Sequence, residues 1–427
     1  MLRKISKIVF FLLICIALAI VLLQIDDPLE PEVATLIQMA EPQTSSQAYL
    51  YLLGLHAPPA QDPLELGKQR LASTLRAGSV DPLSPHDSDP SEILAIPEGE
   101  LFCRTSDDGC QAKLFGATDE FATVIESNKT LLDRYRAFLA LNDFATLQKA
   151  GLDDELPIAY RHLKHGHRLL MLNTILTARN GQAEQAGAEL HDTIDALRRK
   201  LETADTLLSK MIFTTLVSES LDTLSVLVRQ SATTTAQLAP LSPAEKSLKK
   251  PIAHELRGMH SFYSELDQGS DDPTLPAQWP HWVRRMFFKP NMSSNAGFIY
   301  YRDALTLVDV PPVDFAAKVR GTTFEEPPRA WLRNYGGSIL AGIAGPAMNR
   351  YVESIFDLDA KIALFNASIT DPSMTSIVGR LPNPYFTTGE FAYLSDSGNA
   401  VCFASASKNA DAPVCLLVAT DGSTTGD

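Results

Sequence analysis

Three of the chain's nine histidines fall within six positions in "YRHLKHGHRLLMLN", residues 160 to 173. Histidine is well suited to bind a divalent metal or to move a proton near neutral pH, so the first question is whether these rings can act together. On a helix, His162 lies about 60° from His165, whereas His167 points to nearly the opposite side. The three cannot converge on one ion. His162 and His165 could supply two ligands to a third from elsewhere, but a helix that is apolar nearly all round is usually packed between neighbours. The stretch reads as the polar beginning of a packing helix, with pH sensitivity as its secondary consequence.

Other chemistry-bearing spacings are incomplete. In "HELRGMH" the residues His254, Glu255 and His260 lack the H-E-x-x-H spacing of a zinc hydrolase, because histidines six apart sit about 120° around a helix. "SASK" (Ser405 to Lys408) has S-x-x-K spacing but falls in a predicted strand and turn, whereas acylating enzymes place it on a helix. No G-x-S-x-G elbow, phosphate-binding loop or dinucleotide fingerprint is present. Glu353, Asp357 and Asp359 could be paired carboxylates for acid/base chemistry, yet Asp357 stands four residues before Lys361, an ordinary helix pair that predicts a solvated face. "WPHWVRRMFFKPN", from Trp279 to Asn291, gathers aromatics and cations in a way that suits a membrane surface or a partner groove. The plain alternative is a core segment with cationic flanks. No cofactor and no metal is implied by these residues.

The elements that would position such groups begin with an apolar run. Arg3, Lys4 and Lys7 precede "IVFFLLICIALAIVLLQI" (residues 8 to 25), and Asp26, Asp27, Glu30 and Glu32 follow it. At about 1.5 Å per residue the run spans roughly the hydrocarbon thickness of a bilayer. Cations on the near side predict a cytoplasmic N-terminus and a body on the far side of the inner membrane. A signal peptide cut after "ALA" would leave "IVLLQI" exposed, and a lipid on Cys15 would follow the bulky Ile14. A single-pass anchor is the better reading.

Cys103, Cys110, Cys402 and Cys415 all follow the anchor, in a compartment where thiols can pair. Four cysteines allow three connectivities, and the short spacings favour Cys103 with Cys110 and Cys402 with Cys415. The second pairing would make residues 408 and 409 the centre of a two-residue hairpin loop. The 427 residues carry a net charge of −14 with 45% apolar and 21% charged residues. That balance suits a globular body and argues against nucleic acid, which needs a clustered cationic surface.

Beyond the anchor the pattern predicts a mainly α protein: antiparallel helical hairpins, tetratricopeptide-like or irregular, with a small C-terminal antiparallel β element. Ser45 or Ser46 caps a helix at "QAYLYLL", Asp62 and Pro63 open another, and "SPAE" at 242 to 245 forms a capping box. Helical runs are predicted near residues 157 to 179, 183 to 201 and 206 to 228; Pro251 should kink or delay the next, and Pro346 should open the last long helix. Segments 78 to 99 and 268 to 280 read as loops. The expected divisions are a cytoplasmic tip and anchor (1 to 25), N-terminal helices with a disulfide loop (26 to 127), a helical-hairpin body (128 to 267), a second helical region (268 to 382) and a disulfide-linked β element (383 to 427).

"FFKPNMSSN" (287 to 295), "RNYGGSILAGIAGPAMNRYVESIFDLDAKIALF" (333 to 365) and "YLYLLGLHAPPAQDPLELGKQRL" (49 to 71) together resemble an uncharacterised family of inner-membrane-anchored proteobacterial proteins. That resemblance implies the same topology and no assigned activity. The ending "RLPNPYFTTGEFAYLSDSGNAVCF" also looks like the β ending of pseudopilin-like proteins, without their N-terminal signal. The function expected from these readings is a periplasmic scaffold or interaction protein of the bacterial envelope, with an envelope protein as partner. The alternative is an envelope hydrolase whose nonstandard site uses His162, His165, His254 or His260.

Overall fold

The computed structural model describes residues 2–77, 93–107, 109–116, 120–151, 158–231, 235–269, 280–321, 330, 332–344, 348–371, 374, 376–407 and 413–418. Most of loop segment 78 to 99, the stretch 270 to 279 with Trp279, Pro157, Pro346, and residues 408 and 409 with the lysine of "SASK" lie outside the described residues.

The chain is mainly helical and ends in a small antiparallel sheet. Its first helix, α1 (Leu2–Gln24), contains a 20-residue span of mean hydropathy 3.0, none of it buried. Then come α2 (Pro31–Met39), with Pro31 in its first turn, and α3 (Gln47–Leu53). Ser46 caps α3 by accepting the Tyr49 N–H, and the Asp143 carboxylate takes the N–H groups of Gln47 and Ala48. Thus the free donors of that helix end are satisfied from both sides. Asp62 accepts from Leu64 N at the start of α4 (Pro63–Ala77). α3 and α4 meet backbone to backbone, since a Cβ on Gly67 would stand 1.8 Å from the Leu50 carbonyl oxygen. Only glycine permits that approach.

Three shorter helices, α5 (Cys110–Phe115), α6 (Phe121–Ser127) and α7 (Lys129–Ala140), lead to three long ones. These are α8 (Tyr160–Arg179), α9 (Ala183–Thr203) and α10 (Leu207–Ser231). Links of three residues, 180 to 182 and 204 to 206, force each helix antiparallel to the last. α10 is the hub, packed against α8, α9 and later elements. Its span 207 to 230 is apolar enough to cross a bilayer but is 72% buried within the fold.

Ser242 and Glu245 close a capping box on the one-turn α11 (Pro243–Lys246). α12 (Lys249–Gln268) starts just before Pro251, which occupies the first turn where its missing N–H costs nothing. Next come α13 (His281–Phe287), α14 (Pro290–Leu307), α15 (Pro312–Gly321) and α16 (Tyr335–Ala344), then α17 (Met348–Thr370), which packs along α10. Met348, Val352, Ile355, Phe356 and Ile362 of α17 are buried. α13 has no buried residue, whereas Lys289 and Pro290, at the far end of the aromatic and cationic stretch, are buried.

Strands β1 (Tyr393–Leu394), β2 (Ala400–Phe403) and β3 (Val414–Leu417) pair antiparallel in that order. Cys402 stands directly opposite Cys415 in the ladder and is bonded to it, while Cys103 is bonded to Cys110. The ladder closes at Phe403 and Val414, so β2 and β3 are joined by residues 404 to 413 and not by the two-residue loop that the spacing predicted. Val226 of α10 packs against Ala400, Cys402 and Leu417, which seats the sheet on the central helix.

Candidate functional site

A polar cleft of about 860 Å³ opens where α10, α17, the loop closed by Cys103 and Cys110, and strand β3 meet. The central group is Asp222 of α10, 2% exposed. One carboxylate oxygen lies 2.7 Å from Lys361 Nζ and accepts the Leu417 N–H at 3.0 Å; the other accepts the Thr105 hydroxyl at 2.6 Å. Lys361 also donates to Ser218 Oγ at 2.9 Å. A single buried carboxylate thereby ties helix, loop and strand to the same point. A buried charge is tolerable only when such partners replace its lost water.

One turn earlier on α10 stands Glu219, also buried. Its carboxylate receives Arg168 at 3.3 Å and faces His167 Nε2 at 4.0 Å. Burial raises the Glu219 pKa against the opposing pull of Arg168. The other His167 nitrogen is 2.8 Å from the Tyr135 hydroxyl, and burial pushes that imidazole down to about 3. Hence His167 is neutral across the physiological range.

Asp357 projects into the same cleft from α17 and accepts the Tyr385 hydroxyl at 2.6 Å. Burial raises its carboxyl to about 7 even though the Tyr385 bond pulls the other way. Near neutral pH it exists in both protonation states, so it can accept or donate a proton to whatever enters. Hydroxyls from Thr214, Ser218 and Ser354, with Arg104 on the loop, complete a lining that can hydrogen-bond a polar ligand from several directions.

This corrects the solvated face predicted for α17. Asp357 does not pair with Lys361; Tyr385 takes the first and Asp222 the second. Glu353 accepts from Ser405 Oγ and Ser407 N, and Asp359 receives Lys246 at 2.5 Å and the Leu241 N–H at 2.8 Å. Each acid meets a group from another element, because α17 is packed on more sides than its periodicity indicates.

The histidines singled out in the sequence are dispersed. His162 is bonded to the Leu94 carbonyl at 2.8 Å and His165 to the Arg161 carbonyl of its own helix at 2.8 Å. His254 borders a separate recess of about 490 Å³ alongside Lys250, Asp143 and Asp205. His260 meets Ser294 Oγ at 3.0 Å. Burial lowers the pKa of His162, His165 and His260 alike. Of the first cluster, it is His167, the ring pointing away from the others, that approaches the cleft's polar network. Among the described residues no group of three or more His, Cys, Asp or Glu side chains is placed to hold a metal ion.

Asp222, Glu219 and Tyr385 had not been singled out from the sequence. The available signal was "FTTLVSESLDTLSVLV", two acids in a helical run whose other residues are apolar or small hydroxyl side chains, which demands buried partners. Compared with protein-family models, curated proteins and solved structures, the chain finds no match.

Proposed function

We propose that this protein is a membrane-anchored periplasmic interaction protein of the bacterial envelope, whose helical body presents the polar cleft to another envelope component. The observation that carries this reading is α1, an apolar helix of bilayer length with no buried residue in its span, joined directly to a helical body. A helix so apolar and so uncovered needs a lipid environment. The two disulfides are those of an oxidising compartment, on the side predicted by Arg3, Lys4 and Lys7. The resemblance to inner-membrane-anchored proteobacterial proteins points the same way.

A reporter active only in the periplasm, fused after residue 427, should be active in cells; activity of a cytoplasmic reporter at that position would overturn the topology. A photocrosslinker at Ser397, an exposed residue on the cleft, should capture one defined envelope protein. Capture confined to abundant bystanders would count against a specific partner.

A further inference from the structure

The body grips the chain immediately after α1. The Asp26 carboxylate accepts the N–H groups of Asn291 at 2.9 Å and Met292 at 3.2 Å, so it caps α14. Arg333 reaches Asp27 Oδ1 at 2.8 Å and the Ile25 carbonyl at 2.9 Å, satisfying an orphan acceptor at the end of the apolar helix. Asn291 and Asn295 donate to the carbonyls of Asp27 and Pro28 at 2.9 and 3.0 Å. With no slack between Gln24 and α14, the direction of α1 fixes where a bilayer must lie against the body.

Apolar side chains are exposed at that place. α13 packs against α1, and α16 packs against α13. Trp282 of α13 is 52% exposed, Leu332, next to the gripping Arg333, is 83% exposed, and Ile339 of α16 is 45% exposed. We propose that these three residues form a collar around the exit of α1 and insert into the lipid interface, seating the body on the bilayer. This rests on α1 spanning the membrane. Tryptophan favours the headgroup boundary because its ring is apolar and its N–H is wet, while Leu and Ile gain by leaving water. The occupant is lipid because the collar adjoins a helix whose whole apolar span requires lipid, and the Asp26 and Arg333 bonds hold the two together.

The test uses the full chain with Trp279→Phe and Trp331→Phe, leaving Trp282 alone, reconstituted in phosphatidylcholine and phosphatidylglycerol vesicles and floated on a density gradient. Lipid brominated near the headgroup should lower Trp282 emission about two-fold relative to plain lipid. In a chain also carrying Trp282→Phe, a Leu332→Trp probe should be quenched to a similar degree. A Leu208→Trp probe, 59% exposed at the start of α10, should not be. Protein that floats with Trp282 and the Leu332→Trp probe unquenched, or with the Leu208→Trp probe equally quenched, overturns the collar and leaves the anchor standing. Protein that does not float overturns both.

Discussion

Lys361 sets its ammonium 2.7 Å from an Asp222 carboxylate oxygen, although the two belong to different helices and their side chains are only 9% and 3% exposed. The pair holds α17 to α10 at the floor of the cleft, where the Thr105 hydroxyl and the Leu417 N–H complete the shell of Asp222. With so little of either side chain exposed, water replaces a lost partner only in part.

Lys361→Met should therefore lower unfolding stability by about 3 kcal/mol, because it strands a buried carboxylate. Adding Asp222→Asn should recover part of the loss, since the uncompensated charge is gone. Urea unfolding of the two single variants and the double variant, followed by far-UV circular dichroism, measures the coupling. Strictly additive losses would mean the two charges do not interact.

Asp357 carries a carboxyl raised from 3.8 to about 7 by burial. The folded state then holds a proton that the unfolded state releases, so this group's contribution is full below about pH 4 and is lost as pH rises through about 7. The stability difference between the parent and Asp357→Asn should shift against the parent across that window. A difference independent of pH between 4 and 8 would place the Asp357 carboxyl in the ordinary range.

His167 acts with the opposite sign. Its imidazole falls from 6.5 to about 3 through burial, so the neutral ring supports folding above about pH 6.5 and that support is lost as pH drops toward 3. His167→Gln should reduce the acid sensitivity of unfolding while leaving the Asp357 effect in place. Nitrogen chemical shifts of the His167 ring should remain those of neutral imidazole at pH 5; a protonated ring at that pH would refute the burial argument.

Cys15 is the free cysteine among the described residues, and the other four are paired. Under denaturing, non-reducing conditions, protein from an oxidising compartment should take up one maleimide per chain, and five after reduction. Replacing Cys402 and Cys415 by serine should cost about 2 to 3 kcal/mol, the amount expected for closing a loop of that size. Three or more free thiols before reduction would exclude the two-disulfide state.

Gly67→Ala should be among the more damaging small substitutions, because its Cβ would fall 1.8 Å from the Leu50 carbonyl oxygen and α4 would have to move off α3. Gly187→Ala on α9, where nothing stands within 4 Å, should be neutral or slightly stabilising through helix propensity. The pair compared by thermal unfolding isolates close approach from propensity; equal effects would show that α3 and α4 are not in backbone contact.

Much of the fold was legible because its signals are local. Ser46, Asp62 and the Ser242 to Glu245 box satisfy helix ends a few residues away, so type and spacing were enough to locate three helix starts. The helices on either side of residues 180 to 182 and 204 to 206 follow from apolar periodicity and short links. The candidate site was barely legible. Pairing Asp357 with Lys361 followed the helix spacing rule, but both residues found nearer partners across the fold, Tyr385 and Asp222. Local pair energies of a few tenths of a kcal/mol yield readily to buried charge pairing.

By itself the sequence determined an apolar helix of bilayer length, a helical body with its caps, and a β ending, because each depends on groups within a turn or two along the chain. The cleft was decided by tertiary structure alone. Thr105 and Leu417 reach Asp222 from 117 and 195 residues away. Likewise, burial rather than residue type moved the protons of His167 and Asp357. Desolvation depends on what surrounds a group in space, and the surroundings exist only once the helices have packed.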